Sequence, residues 1–212
     1  MENKEINEKI LEIWRNTSEN IRGENWPVLY PNFTMQTILF IGLNPGERKA
    51  PKIDNFDDLE NKEKIEKIIN FEKTSWKDDK KYFGTFQEIC RGICGHEEFN
   101  HLDLYFYRKG NSNKFMEENV LAEPDFFKEQ LKISLDTIPK IKPRIIFVAN
   151  SKSSKIIKEE LNDKISDLKF EEEGFHRINI NGKLVPIFFS GMISSQRKID
   201  DHSLKRLIWH LK

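Results

Sequence analysis

Apolar residues recur at helical spacing from the start of the chain. Ile6, Ile10, Leu11, Ile13, Trp14 and Ile21 predict a helix over residues 5–22. Trp26-Pro27-Val28-Leu29-Tyr30-Pro31 is apolar but punctuated by proline, so it reads as an irregular crossing. Thr37-Ile38-Leu39-Phe40-Ile41-Gly42 is then continuously apolar, as in a strand buried on both faces, and Asn44-Pro45-Gly46 stops it. Residues 52–80 turn polar and charged and read as an insertion or lid, with a helix near 59–71. Tyr82 to Phe86 precede a short helix through Cys90, and Leu102 to Tyr107 form a second strand candidate. Pro124 opens a helix carrying Phe126, Phe127, Leu131, Ile133, Leu135 and Ile138. Residues 143–150 are a third strand, followed by a helix over 151–161 with Ser151 as its N-cap. Leu184 to Ser190 form the last strand, and a helix ends the chain near Leu211.

Strands alternating with helices predict a parallel sheet of four strands covered on both sides. In such folds ligands bind beyond the carboxyl ends of the strands. The segments to read for chemistry are therefore 43–47, 107–113, 150–154 and 190–201. At 212 residues the chain is expected to form one domain, the charged 52–80 stretch being inserted in it.

Charged residues make up 33% of the chain and cancel to zero, which argues against a surface coated in positive charge for bulk nucleic-acid binding. A local basic patch stays compatible with that sum. The hydrophobic fraction of 37% is low, but 16 phenylalanines promise an aromatic-rich core. Cys90 and Cys94 fall on one helical face, awkward for a disulfide and too few for a metal site, so they read as buried free thiols of a reducing compartment. Met1 to Glu5 are charged with no apolar run behind them, and no stretch approaches the ~20 apolar residues of a membrane span. The expectation is a soluble, cytoplasmic protein.

The run Ile38 to Gly46 resembles the first motif of the uracil-DNA glycosylase superfamily, most closely the Gly-x-Asn-Pro-Gly turn of its mismatch-specific uracil/thymine branch. The helix leading into Lys142 to Val148 is similar to the helix and third strand of that superfamily. The last strand, with its serine-rich loop, arginine and helix, stands where its second motif belongs. The resemblance covers the chain from about residue 36 onward. It implies a three-layer α/β/α sandwich around a mainly parallel four-stranded sheet. It also implies a monomeric enzyme, with no cofactor or metal, that flips a deaminated or mismatched base out of DNA and hydrolyses its N-glycosidic bond.

On that resemblance Asn44 orients the attacking water, and Gly42, Leu43 and Pro45 shape the floor beneath the base. Phe83 stacks on the base, Asp103 stands near the base-reading position, and Asn150 lines the pocket. A carboxylate at 103 accepts but does not donate, so a base with an exposed amino group suits it better than uracil. The second motif departs from the family: Ser190-Gly191-Met192-Ile193-Ser194-Ser195-Gln196-Arg197 holds neither histidine nor proline. It keeps the character of a DNA-contacting loop, with Met192 and Ile193 as wedges, Ser194 and Ser195 as phosphate ligands and Arg197 as a cation.

Plainer readings stand beside each of these. Gly42 to Gly46 could be a strand-ending turn without a ligand, and Phe83 an ordinary core aromatic. Asp103 could cap a helix or pair with Arg108, and Asn150 could simply start the helix after it. Arg197-Lys198 and Lys205-Arg206 could be a solvated surface. The rival function is a non-catalytic binder of nucleic acid or a free nucleotide on the same fold. A small-molecule hydrolase lacks a recognisable nucleophile–base pair and ranks last.

Overall fold

The computed structural model describes residues 3–46, 51–165, 176–191, 193 and 199–211. In chain order its regular elements are α1 (Lys4–Asn16), α2 (Glu19–Arg22), β1 (Ile38–Gly42), a 3-10 turn (Phe56–Glu60), α3 (Lys62–Asp78), α4 (Lys80–Cys94) and β2 (Asn100–Asp103). These are followed by α5 (Ser112–Lys114), a π-helical stretch (Phe115–Val120), α6 (Pro124–Ile141), β3 (Ile145–Val148), α7 (Ser151–Glu160), β4 (His176–Ile180), β5 (Lys183–Phe189) and α8 (Asp201–His210). The architecture is α/β. The sheet runs β2-β1-β3-β5-β4; β1, β3 and β5 are parallel, and β4 is antiparallel to β5.

The sheet has five strands where four were expected. The addition is β4, joined to β5 by Asn181 (φ 52°) and Gly182 (φ 81°). Two successive positive φ angles make the tight turn whose twist matches a hairpin, and Asn-Gly is the pair that tolerates them best. Pro186 is accommodated in β5 because it pairs only with Arg177 of β4; pairing with β3 begins at Ile187. The outer side of β4 is also met, by an Ile165–Ile178 bridge and by the Asn179 N–H donating to the Lys164 carbonyl at 2.8 Å. β2 is shorter than expected and shifted upstream, ending at Asp103, so Leu104 to Tyr107 continue outside the sheet.

The chain divides into two compact units, interleaved in sequence. Unit 2 comprises residues 34–42, 77–102 and 141–212 and holds the sheet apart from Asp103. Its core is aromatic. Phe40, Phe147 and Phe188 stand in register on neighbouring strands. Their rings stack at 5.3 Å and 5.0 Å, and Phe86 of α4 lies flat on Phe40 at 4.1 Å. In-register residues share a face, so the ladder follows from the pairing. α4 meets α8 at Gly92, where a Cβ would come within 2.5 Å of Ile208.

Unit 1 comprises residues 1–33, 43–76 and 103–140. The helix expected over 5–22 breaks at Thr17-Ser18 into α1 and α2, and α1 buries Ile6, Ile10, Leu11, Ile13 and Trp14. The charged 52–80 stretch contributes Leu59, Ile68, Glu72 and Trp76 as buried side chains. Trp76 packs against Tyr30 with ring centroids 6.4 Å apart. Among the described residues no helix is long and apolar enough to cross a membrane.

Candidate functional site

The Asn44 loop lies in unit 1, hydrogen-bonded along the segment that leaves β2. The Tyr105 N–H donates to the Leu43 carbonyl at 2.9 Å, and the Lys109 N–H to the Pro45 carbonyl at 3.0 Å. The Asn44 side chain joins the same seam. Its Nδ2 donates to the carbonyls of Lys109 at 2.8 Å, Pro45 at 3.1 Å and Tyr107 at 3.4 Å. With both amide protons committed, Oδ1 is what remains for another partner, and it can only accept. Asn44, Pro45 and Gly46 are half-buried, whereas Gly42 and Leu43 are buried.

What fixes this seam is a buried polar cluster that local sequence patterns do not reveal. Arg108 is 4% exposed; its Nε donates to the Trp26 carbonyl at 3.0 Å, and its guanidinium is paired with Glu72 of α3. The Phe71 ring lies beneath the guanidinium, 6.0 Å away. Arg108 thereby anchors the stretch whose flanking carbonyls, at 107 and 109, hold Asn44. Asp103 is 1% exposed. Its N–H donates to the Tyr30 hydroxyl at 2.9 Å, and its carbonyl accepts from the Ser134 hydroxyl at 2.9 Å. Burial, reinforced by the negative charge of Asp103, holds the Tyr30 phenol well above its ordinary pKa, so it stays neutral.

The structure thus brings the backbones of Asn44 and Asp103 together through the Leu43–Tyr105 link. Arg108 takes Glu72 as its ion-pair partner, where Asp103 was the one considered from sequence. Phe83 and Asn150 belong to unit 2. Phe83 is inside α4, not ahead of it, and is 2% exposed among Tyr82, Phe86, Phe99 and His101, with centroids 4.8–5.8 Å away. Asn150, not Ser151, is the N-cap of α7: its Oδ1 accepts from the Ser153 N–H at 2.9 Å. The wedge expected at Ile193 is corrected, because that side chain is wholly buried and its N–H donates to the Ala149 carbonyl at 3.3 Å. Met192, Ser194, Ser195 and Arg197 lie outside the described residues.

Cys90 is a buried free thiol whose pKa burial raises far above its usual value, and Cys94 is half-buried and free. Among the described residues no group of three or more His, Cys, Asp or Glu side chains could hold a metal ion. No protein-family model matches this chain, and no curated protein matches its sequence.

Proposed function

We propose that this protein is a base-excising DNA N-glycosylase on a three-layer α/β/α sandwich of the uracil-DNA glycosylase type. The observation that carries the reading is the Asn44 side chain, whose amide protons go to three backbone carbonyls and whose Oδ1 remains as a fixed acceptor. A water donating to that oxygen is oriented with a lone pair outward. Its oxygen attacks C1′ of the deoxyribose, the C1′–N bond breaks, the bonding pair departs with the base, and the spare water proton passes to solvent. Asn44 positions this water rather than deprotonating it, so the reaction depends on how well the leaving base is stabilised.

The test is incubation with oligonucleotides bearing uracil, hypoxanthine or mismatches, followed by alkali to cleave abasic sites. Strand breaks lost in Asn44→Ala support the proposal. No breaks with any lesion, and no change in Asn44→Ala, end it.

The burial of Phe83 and Ile193 favours a second reading, a non-catalytic binder on the same fold. A DNA-phosphate contact loses affinity steeply as salt rises, whereas a pocket for a free nucleoside does not. A salt titration therefore identifies the partner if no excision is seen.

A further inference from the structure

A second feature of unit 1 lies among α1, α2 and the 53–56 segment. It is a half-open cleft of about 420 Å³ whose lining includes Arg15, Ser18, Arg22, Asn55 and Phe56. Such a volume falls in the range of small-ligand sites. The anomaly is Arg22, only 6% exposed. Among the described residues it has no carboxylate partner; its hydrogen bond is a long one, 3.4 Å to the Gly23 carbonyl, and its buried Nε has none. A buried cation without a counter-ion is expensive to keep.

The neighbouring charges do not supply that counter-ion. Arg15 is paired with Glu8 at 2.8 Å, Glu24 with Lys52 at 2.8 Å and Asp54 with Lys64 at 3.3 Å. Glu19 also lines the cleft but is exposed, so water and salt screen it. The Nε of Arg15 is likewise buried without a hydrogen-bond partner. Beside these donors stands Phe56, 49% exposed, with the Arg22 guanidinium 5.6 Å from its ring centre. A large apolar ring left in solvent beside a buried cation short of an anion describes complementary halves of one ligand.

We infer that this cleft binds a nucleotide unit, its phosphate on Arg22 and its base against Phe56. The ligand is a free mononucleotide or the same unit within a strand, since both present an anionic phosphate a few bonds from a planar base. Arginine suits the phosphate by its planar fork of donors, and aromatic rings stack bases with little regard to sequence. The inference does not use Asn44 or any excision activity, so it stands or falls separately from the proposed reaction.

The test is calorimetric titration of the full chain with adenosine 5′-monophosphate, adenosine, inorganic phosphate and a short oligodeoxyadenylate. The wild type should bind the monophosphate more tightly than adenosine. Arg22→Gln should weaken the monophosphate about tenfold or more while leaving adenosine unchanged. Phe56→Ala should weaken both. Phosphate should raise the melting temperature of the wild type but not of Arg22→Gln, and the unliganded Arg22→Gln protein should melt no lower than wild type. Tighter binding of the oligonucleotide, steeply salt-dependent, assigns the strand as ligand; tighter binding of the monophosphate assigns the free nucleotide. Absence of binding by both, or an Arg22→Gln protein that binds the monophosphate like wild type, overturns the inference. If Arg22→Gln does not fold, Phe56→Ala decides, and unaltered affinity there overturns it.

Discussion

The two units solve the problem of a core in opposite ways. In unit 2, Phe40, Phe147, Phe188 and Phe86 stack ring on ring across three strands and one helix. In unit 1, the equally buried Glu72 and Arg108 form an ion pair, and Asp103 lies against the neutral phenol of Tyr30. An aromatic stack is held by area and tolerates approximate shapes. A buried ion pair adds little net stability over an apolar replacement, but it fails badly if one partner is altered. What it supplies is placement, since a guanidinium locked to one carboxylate and one carbonyl fixes the backbone that carries it. That backbone holds Asn44.

Near-isosteric exchanges should therefore separate the regions. The largest loss is expected for Glu72→Gln, which leaves Arg108 buried without its counter-charge, at about 3 kcal/mol or more. Denaturant unfolding measures it, and hydrogen exchange should show the Lys109 amide losing protection. Pairing it with Arg108→Met should restore much of the stability without restoring that protection. If the single variant is as stable as wild type, the ion pair is not what orders the seam. Phe147→Leu, an exchange of similar size in the other region, should cost under about 1.5 kcal/mol. A loss as large as that of Glu72→Gln would erase the contrast.

Tyr30→Phe removes the hydroxyl that accepts from the Asp103 N–H and should cost about 1 kcal/mol at neutral pH. Its pH signature is more telling. The phenol pKa is raised in the folded state, so its contribution is complete below the ordinary value of 10.0. It is lost as pH rises beyond that value, because the unfolded chain releases the proton first. Wild type should thus lose more stability in alkali than Tyr30→Phe, and a phenolate titration of wild type should show a late tyrosine that Tyr30→Phe lacks. Equal alkaline sensitivity of the two proteins would contradict the burial of this hydroxyl. The smallest effect is expected for Asn150→Ala, which removes a helix cap in unit 2 and costs at most about 1 kcal/mol. Chemical denaturation with circular dichroism reads it; a larger loss would give Asn150 a role beyond capping.

Legibility from sequence followed the same divide. β1 and β3 announced themselves as continuous apolar runs, because a strand buried on both faces leaves no polar positions; β5 is apolar from Leu184 on although Leu184 itself is exposed. β4 was missed since His176-Arg177-Ile178-Asn179-Ile180 alternates with polar residues, although Asn181-Gly182 is a hairpin signal placed directly before the next strand. α3 was foreseen, but its role was not. Glu72 and Arg108 are 36 residues apart, and no local periodicity reveals that a charged helix buries its glutamate. Asn44 was legible as the turn that ends a buried strand, although Asn-Pro-Gly is by itself common turn chemistry. Its hydrogen bonds to 107 and 109 depend on tertiary pairing. Phe83 could not be told from the other phenylalanines of an aromatic core by composition.

The bridge between Ile165 and Ile178 matters for how the protein behaves in a crowd. An outermost strand with its peptide groups unsatisfied is a template on which another chain can add, and repeated addition leads to fibres. Here the outward hydrogen bonding of β4 is partly used, since the Asn179 N–H already donates to Lys164. Asn100 of β2 exchanges hydrogen bonds with both the N–H and the carbonyl of Thr34, its side-chain amide imitating a peptide and tying β2 to the segment that enters β1. At the β4 margin, assembly by strand addition must therefore first undo a native contact.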